Sequence, residues 1–346
     1  MGESVALGID FGATNIKVAA VDRRGVIDAK AASATNREAP PDAVIDEMVR
    51  LVDRVLGDGR WTRKHAIGVG IGAPGPLNPK AGRIVRSANL PQWVDVPLRD
   101  RLAERLHLRV VLDNDANAAA FGEFWAGAGR DGGDLVMLTL GTGVGGGAVV
   151  GGKLVHGHFG NAAELGHLIV VPDGLPCPCG QHGCLEQYAS AAAVARRAVD
   201  EARSGPVAPE LPARVSENVE PEVSEGAPSF AERVSRGDSI DAELVVQCAR
   251  AGDPICVGVW NETCLYLGIA CVNIQHVFNP ARIVLGGGLA QAGDFLIAPV
   301  RRAFRARTWR LYDDFPRVET AQLGYDAGVI GAAGLAWSNS NPAEVT

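Results

Sequence analysis

A chain of 346 residues, 47% of them hydrophobic, is long enough to bury one large core or two packed lobes. Its 33 Lys and Arg against 40 Asp and Glu leave a net charge of -7, without the basic surface that a nucleic-acid phosphate backbone demands. The N-terminus lacks the pattern of a signal peptide, no apolar run reads as a bilayer span, and seven Cys make an odd number for a disulfide framework. Together these features predict a cytoplasmic protein with neither a nucleic-acid nor a membrane partner.

In chain order, Val5 to Asp10 reads as a strand, Phe11 to Asn15 as a tight turn and Ile16 to Val21 as a returning strand, with a third strand at Val26 to Ala31. Pro41 to Leu56 has apolar residues at helical spacing. Ala66 to Ile71 is a strand ending in Gly72-Ala73-Pro74-Gly75-Pro76, which cannot continue a sheet. After a strand at Leu108 to Leu112, Asp113-Asn114-Asp115 supplies an N-cap for a helix over Ala116 to Trp125. Leu135 to Leu140, Gly141-Thr142-Gly143 and Val144 to Val150 repeat the opening strand, glycine turn and strand. That echo predicts two related lobes facing each other across a cleft. Residues from about Ser204 to Gly237, rich in Pro, Glu, Ser and Val, read as a partly disordered surface insertion. Ser239 to Ala251 and Pro254 to Val277 read as helices, Ile283 to Leu285 as a strand before Gly286-Gly287-Gly288, and Gly293 to Thr308 and Ala327 to Trp337 as the last helices.

Three groups of residues carry chemistry. The loops at Gly12 to Asn15, Gly141 to Gly143 and Gly286 to Gly288 can present backbone N–H groups to an anion, or can simply make tight turns; three of them at strand ends favour a nucleotide phosphate site. Neither a Walker loop nor the dinucleotide fingerprint is present. Secondly, His167, Cys177, Cys179 and Cys184 form a Cys3His set, which closes a tetrahedral zinc shell with no position left for water, so the metal is expected to be structural. Cys248, Cys256, Cys264 and Cys271 sit in apolar helical stretches and read as small hydrophobes. Thirdly, Asp115 at a helix start reads either as an ordinary cap or as a base that takes a proton from a hydroxyl, with Glu164 and Glu186 flanking the cysteine loop.

Glu164-Leu165-Gly166-His167 followed by Cys177-Pro178-Cys179-Gly180-Gln181-His182-Gly183-Cys184-Leu185-Glu186 resembles the zinc signature of the ROK family of sugar kinases and sugar-responsive repressors. Leu7 to Lys17 is similar to the family's first phosphate loop, with Ala13 where glycine is common, and the resemblance covers nearly the whole chain. Leu185 to Ser190 and Leu323 to Gly328 look most like the glucokinases within the family. The resemblance implies an α/β, actin-like (ribonuclease H-like) duplicated two-lobe fold: residues 1–115, completed by a C-terminal helix at 326–338, and residues 116–325, with a zinc loop at 164–186 and the insertion at about 204–237. It implies an ATP-dependent kinase with Mg²⁺ and a structural Zn²⁺, phosphorylating glucose to glucose 6-phosphate, or alternatively N-acetylmannosamine, fructose, mannose or allose. A non-catalytic sugar sensor or repressor is the alternative outside the kinases, but family members of that kind carry a winged helix in front, whereas here the first strand starts near Ser4.

By the same carry-over Asp115, in Asn114-Asp115-Ala116-Asn117, is the general base. Gly75, Asn89, Asn114, Glu164, His167 and Glu186 hold the sugar. Asp10 orients Mg²⁺ through water. Gly12, Thr14, Asn15, Lys17, Gly141, Thr142, Gly143, Gly286, Gly287 and Gly288 cradle the nucleotide, and the assembly is a homodimer or homotetramer.

Overall fold

The computed structural model describes residues 4–59, 61–87, 90–204, 228–309 and 314–340. Asn89 therefore lies outside the described residues, as do 205–227 of the expected insertion. The chain divides into two compact units: Met1–Met137 with Gly146–Ala163 and Ala321–Thr346, and Leu138–Gly145 with Glu164–Thr320.

The opening strands β1 (Val5–Phe11), β2 (Asn15–Val21) and β3 (Ile27–Ala34) are followed by α1 (Pro41–Asp58), β4 (Ala66–Ala73) and a small three-stranded sheet, β5 (Leu77–Asn78), β6 (Arg83–Arg86) and β7 (Val94–Val96). Next come α2 (Leu98–Leu106), β8 (Val110–Asn114), α3 (Asp115–Ala126), β9 (Leu135–Leu140), β10 (Val144–Val150) and β11 (Lys153–Leu154). Helices α4 (Glu186–Ala189), α5 (Ala191–Ser204), α6 (Phe230–Arg236), α7 (Ala242–Arg250) and α8 (Pro254–Phe278) precede β12 (Arg282–Gly286), α9 (Asp294–Arg307), β13 (Arg317–Thr320) and α10 (Ala327–Ser338). One sheet has the order β3-β2-β1-β4-β8 and the other β11-β10-β9-β12-β13. Counted within each sheet, both orders are 3-2-1-4-5, so the echo in the sequence is also an echo in topology.

In the first unit β1 pairs antiparallel with β2 and parallel with β4, and β4 pairs parallel with β8. The register sets Lys17 against Asp10, Asp10 against Gly72 and Gly72 against Asp113, a polar row along the C-terminal ends of the parallel strands. Open α/β sheets bind ligands at that edge. Alternation along β1 sends Val5, Leu7, Ile9 and Phe11 into a core with α1, whose Val44, Ile45, Met48, Leu51, Val52 and Val55 recur at helical spacing. Full burial of each such side chain contributes roughly 1.5–3 kcal/mol. On the opposite face the backbone of α10 lies directly on the strands. A Cβ at Gly8 would stand 2.0 Å from the Val329 carbonyl oxygen, and one at Gly70 would stand 1.7 Å from that of Ala332, so glycine is what lets the helix dock.

In the second unit α8 packs against α5, α7 and α9. This helix corrects one expectation: Pro254–Phe278 is long and apolar enough, by length and composition, to cross a membrane. Half of that apolar window is buried within the protein, and the helix carries Glu262, which pairs with the buried Arg197 of α5. Cys256, Cys264 and Cys271 are buried in α8, and burial pushes their thiols upward, so they behave as the small neutral hydrophobes expected. The expected insertion also needs correction at its end. Residues 230–236 form α6, started by a capping box between Ser229 and Glu232 and stopped by Gly237 at φ +79°.

Candidate functional site

At the strand-to-helix junction of the first unit, Asn114 takes the capping role: its side chain accepts from the N–H groups of Ala116 and Asn117. Asp115 therefore opens α3 as its first residue, its Oδ1 accepting from Ala116 N at 2.8 Å. Behind it Asp113, 3% exposed, accepts from Asn114 N at 2.8 Å, from the Asn117 amide at 2.9 Å and from His156 Nε2 at 2.6 Å. A Cβ on Gly75 would sit 3.5 Å from the Asn114 amide nitrogen, so the loop after β4 and this junction meet.

Along the same sheet edge Lys17 Nζ lies 3.2 Å from Asp10 Oδ2 and donates to the Tyr325 carbonyl at 2.9 Å. Burial raises the Asp10 pKa, Lys17 opposes that rise, and Asp326 adds to it. Gly328, near the start of α10, faces the Asp10 carboxylate; a Cβ there would come within 3.0 Å of it. The turn between β1 and β2 is closed by Gly12 N donating to Asn15 O at 2.9 Å, and Thr35 caps it through a 2.8 Å bond to Gly12 O.

In the second unit Val144 is held from two sides. Its N–H donates to Glu186 Oε2 at 3.0 Å, and its carbonyl would be 2.0 Å from a Cβ on Gly166, in the turn Leu165–His167 that follows Glu164. Glu186 also closes on Gly143, where a Cβ would lie 2.5 Å from the carboxylate. Gly141, by contrast, has open space in front of it, while Gly287, at φ +85°, lies against the backbone of Leu140. Three of the expected residues, Gly143, Glu186 and the His167 turn, are thus brought together around one peptide.

The donor atoms of His167, Cys177, Cys179 and Cys184 all lie within 4.8 Å of one another. Cys179 Sγ is 3.6 Å from Cys184 Sγ, and Cys177 Sγ is 3.7 Å from His167 Nδ1. A tetrahedron with Zn–S bonds of ~2.3 Å has edges of about 3.8 Å, so the donor set fits zinc and is far too open for disulfides. Burial pushes the Cys184 thiol up to about 12. The loop is built tightly: Gly183, at φ +76°, would place a Cβ 1.7 Å from the Val171 carbonyl oxygen. From behind, the Tyr188 hydroxyl accepts from Leu175 N at 2.7 Å, and the Tyr188 carbonyl accepts from Arg197 and Thr263.

The sequence reading passed over His156, Glu123 and Tyr188. Glu123 is fully buried and accepts from the N–H groups of Ala128, Gln322 and Leu323 at 2.8–3.0 Å, stapling α3 to the segment before α10. Spacing alone gives no signal for a contact made across 199 positions.

The sequence profile of the ROK family matches residues 6–339. This chain belongs to the ROK family. Among curated relatives, a glucokinase of Halalkalibacterium halodurans is 36% identical over 345 residues, covering 99% of this chain and 98% of the relative. A glucokinase of Streptomyces coelicolor is 35% identical, covering 96% and 97% of the two chains. Among solved structures, a ROK family glucokinase from Streptomyces griseus in complex with glucose and AMPPNP is similar with a TM-score of 0.76 and 34% identity, over 97% of this chain and all of that one. The fold is accordingly the two-lobe actin-like α/β fold of the ROK sugar kinases.

Proposed function

We propose that this ROK protein transfers the γ-phosphoryl group of ATP to the 6-hydroxyl of glucose. The observation that carries the reading is the Asn114–Asp115 junction: with Asn114 capping the helix, the Asp115 carboxylate is held by the first turn of α3 at the binding edge of the sheet. It stands in a chain that is 35–36% identical, over nearly its whole length, to proteins named as glucokinases.

In this reading Asp115 accepts the proton of the sugar hydroxyl while that oxygen forms its bond to the γ-phosphorus. The bond from phosphorus to the β,γ-bridging oxygen breaks, and ADP leaves with the electron pair. Gly75, Asn89, Asn114, Glu164, His167 and Glu186 hold the other hydroxyls. Gly12, Thr14, Asn15, Lys17, Gly141, Thr142, Gly143, Gly286, Gly287 and Gly288 receive the nucleotide. Positioning dominates, because phosphoryl transfer needs little covalent help from a protein.

Asp10 offers hard carboxylate oxygens, one of them paired with Lys17, facing the backbone of Gly328 where no side chain intervenes, a donor that suits Mg²⁺ held through water. Bound there, the ion supplies neutralisation of phosphate charge. His167, Cys177, Cys179 and Cys184 would hold a Zn²⁺ that fixes the loop between Glu164 and Glu186 and takes no part in bond making. The seven free thiols support a reducing cytoplasm, and a homodimer or homotetramer, read by light scattering, belongs to the same proposal.

A coupled ADP-release assay over a panel of hexoses, with the wild type and Asp115→Asn side by side, tests the reading. Glucose turnover that is lost in the variant, with glucose binding retained, supports it. Turnover confined to N-acetylmannosamine, fructose, mannose or allose replaces the substrate and keeps the mechanism. An Asp115→Asn chain as fast as wild type refutes the base.

A further inference from the structure

His156 lies in the segment that follows β11, two residues past Leu154. That segment is fixed at several points. Val155 N donates to Ala148 O at 2.9 Å, Ala162 N donates to the His156 carbonyl at 3.1 Å, and Gly160, at φ +85°, rests on Pro79. The half-buried imidazole reaches the deeply buried Asp113 through a 2.6 Å contact. A carboxylate only accepts, so Nε2 carries the hydrogen. The other Asp113 oxygen holds Asn114 N and the Asn117 amide, whose orientation is thereby set, since the flipped amide would bring two acceptors face to face. One carboxylate thus ties together the end of β8, the first turn of α3 and the segment after β11.

We propose that His156 is a positioning residue for phosphoryl transfer: its bond to Asp113 fixes the turn from which Asn114 and Asp115 project. The inference rests on the kinase reading of Asp115. Asp113 cannot serve as a second base, because both its oxygens are engaged and it is sealed from solvent. The charged groups facing His156 are Asp113 and Lys80, the latter in the turn between β5 and β6. Asp113 raises the imidazole pKa above its ordinary value, while burial and Lys80 oppose the rise. Below that raised value the bond joins two opposite charges, and it weakens to one donated by a neutral imidazole as the pH climbs through it.

The test is glucose turnover as a function of pH for wild type, His156→Ala and His156→Gln. Glutamine is chosen because its amide N–H reaches about as far as Nε2 and does not titrate. A misplacement approaching 1 Å costs up to about 100-fold in rate, so His156→Ala is expected to lose roughly 10- to 100-fold in kcat. His156→Gln should recover kcat to within about threefold and lack the alkaline decline shown by the wild type. If the alanine chain does not fold, the comparison of pH profiles decides alone. A His156→Ala enzyme with wild-type kcat, or a glutamine variant with the wild-type alkaline limb, overturns the inference and leaves the kinase reading standing. A wild type that turns over no hexose overturns both.

Discussion

Replacing Gly183 with Ala probes whether the cysteine loop is built to hold a metal. The added Cβ would stand 1.7 Å from the Val171 carbonyl oxygen, where real contacts do not fall below 3.0 Å, so the two backbones must part by about 1.3 Å. The same residue sits at φ +76°, which costs Ala a further 1–2 kcal/mol or so. Cys184 is the next residue along, and a zinc shell tolerates ligand displacements of only about 0.2 Å. The variant is therefore expected to retain well under one zinc per chain after dialysis and to melt roughly 5 °C lower, at a scale of about 2–4 °C per kcal/mol. Metal content by atomic absorption and a thermal scan read both effects. A Gly183→Ala protein with full zinc and an unchanged melting temperature would show that the contact with Val171 yields freely, and would refute the claim that loop geometry and metal retention are coupled.

A strong chelator should remove zinc from the wild type, lower its melting temperature and reduce glucose turnover, with recovery on adding zinc back; full activity in a metal-free protein would contradict a structural role. Glu123→Ala strands the buried N–H of Ala128 and removes the partner of the part-buried N–H groups of Gln322 and Leu323, so a loss of at least about 1–3 kcal/mol is expected in urea unfolding, and an unchanged midpoint would remove Glu123 as a staple. Because His156 has a raised pKa in the folded protein, its stabilising contribution is complete below about 6.5 and is lost as pH rises through the folded value. The melting temperature of wild type relative to His156→Gln should therefore fall across that window, and parallel curves would contradict the ion pair.

Local pattern made some of this legible in the sequence. The hairpin of β1 and β2, helix α8 and the Cys3His set are written in contiguous residues whose spacing carries the physics, and each stands where that spacing puts it. Asn114 was readable as a cap, but which of Asp113, Asn114 and Asp115 would cap could only be decided by the hydrogen bonds. Helix α5 has a local signal, since Ala191 to Ser204 is rich in helix formers and free of Gly and Pro. Composition hid α6: a run of Pro, Glu and Ser outweighed the Ser229–Glu232 capping box. The pairing of His156 with Asp113, separated by 43 positions, has no local signature at all.

The docking of α10 on Gly8 and Gly70 has a consequence for biosynthesis. The first unit draws its sheet from residues 5–114 and the helix covering one face of that sheet from residues 327–338, which leave the ribosome more than 200 residues later. At about 5–20 residues per second, β1 and β4 wait many seconds with that face uncovered. The bulk of the second unit, contiguous from Glu164 to Thr320, can meanwhile complete its own core. The glycines that admit α10 also thin the apolar side chain on that waiting face, where Val21, Ile27 and Ile67 remain to be covered, so the feature that permits docking also reduces what the nascent sheet offers to other chains.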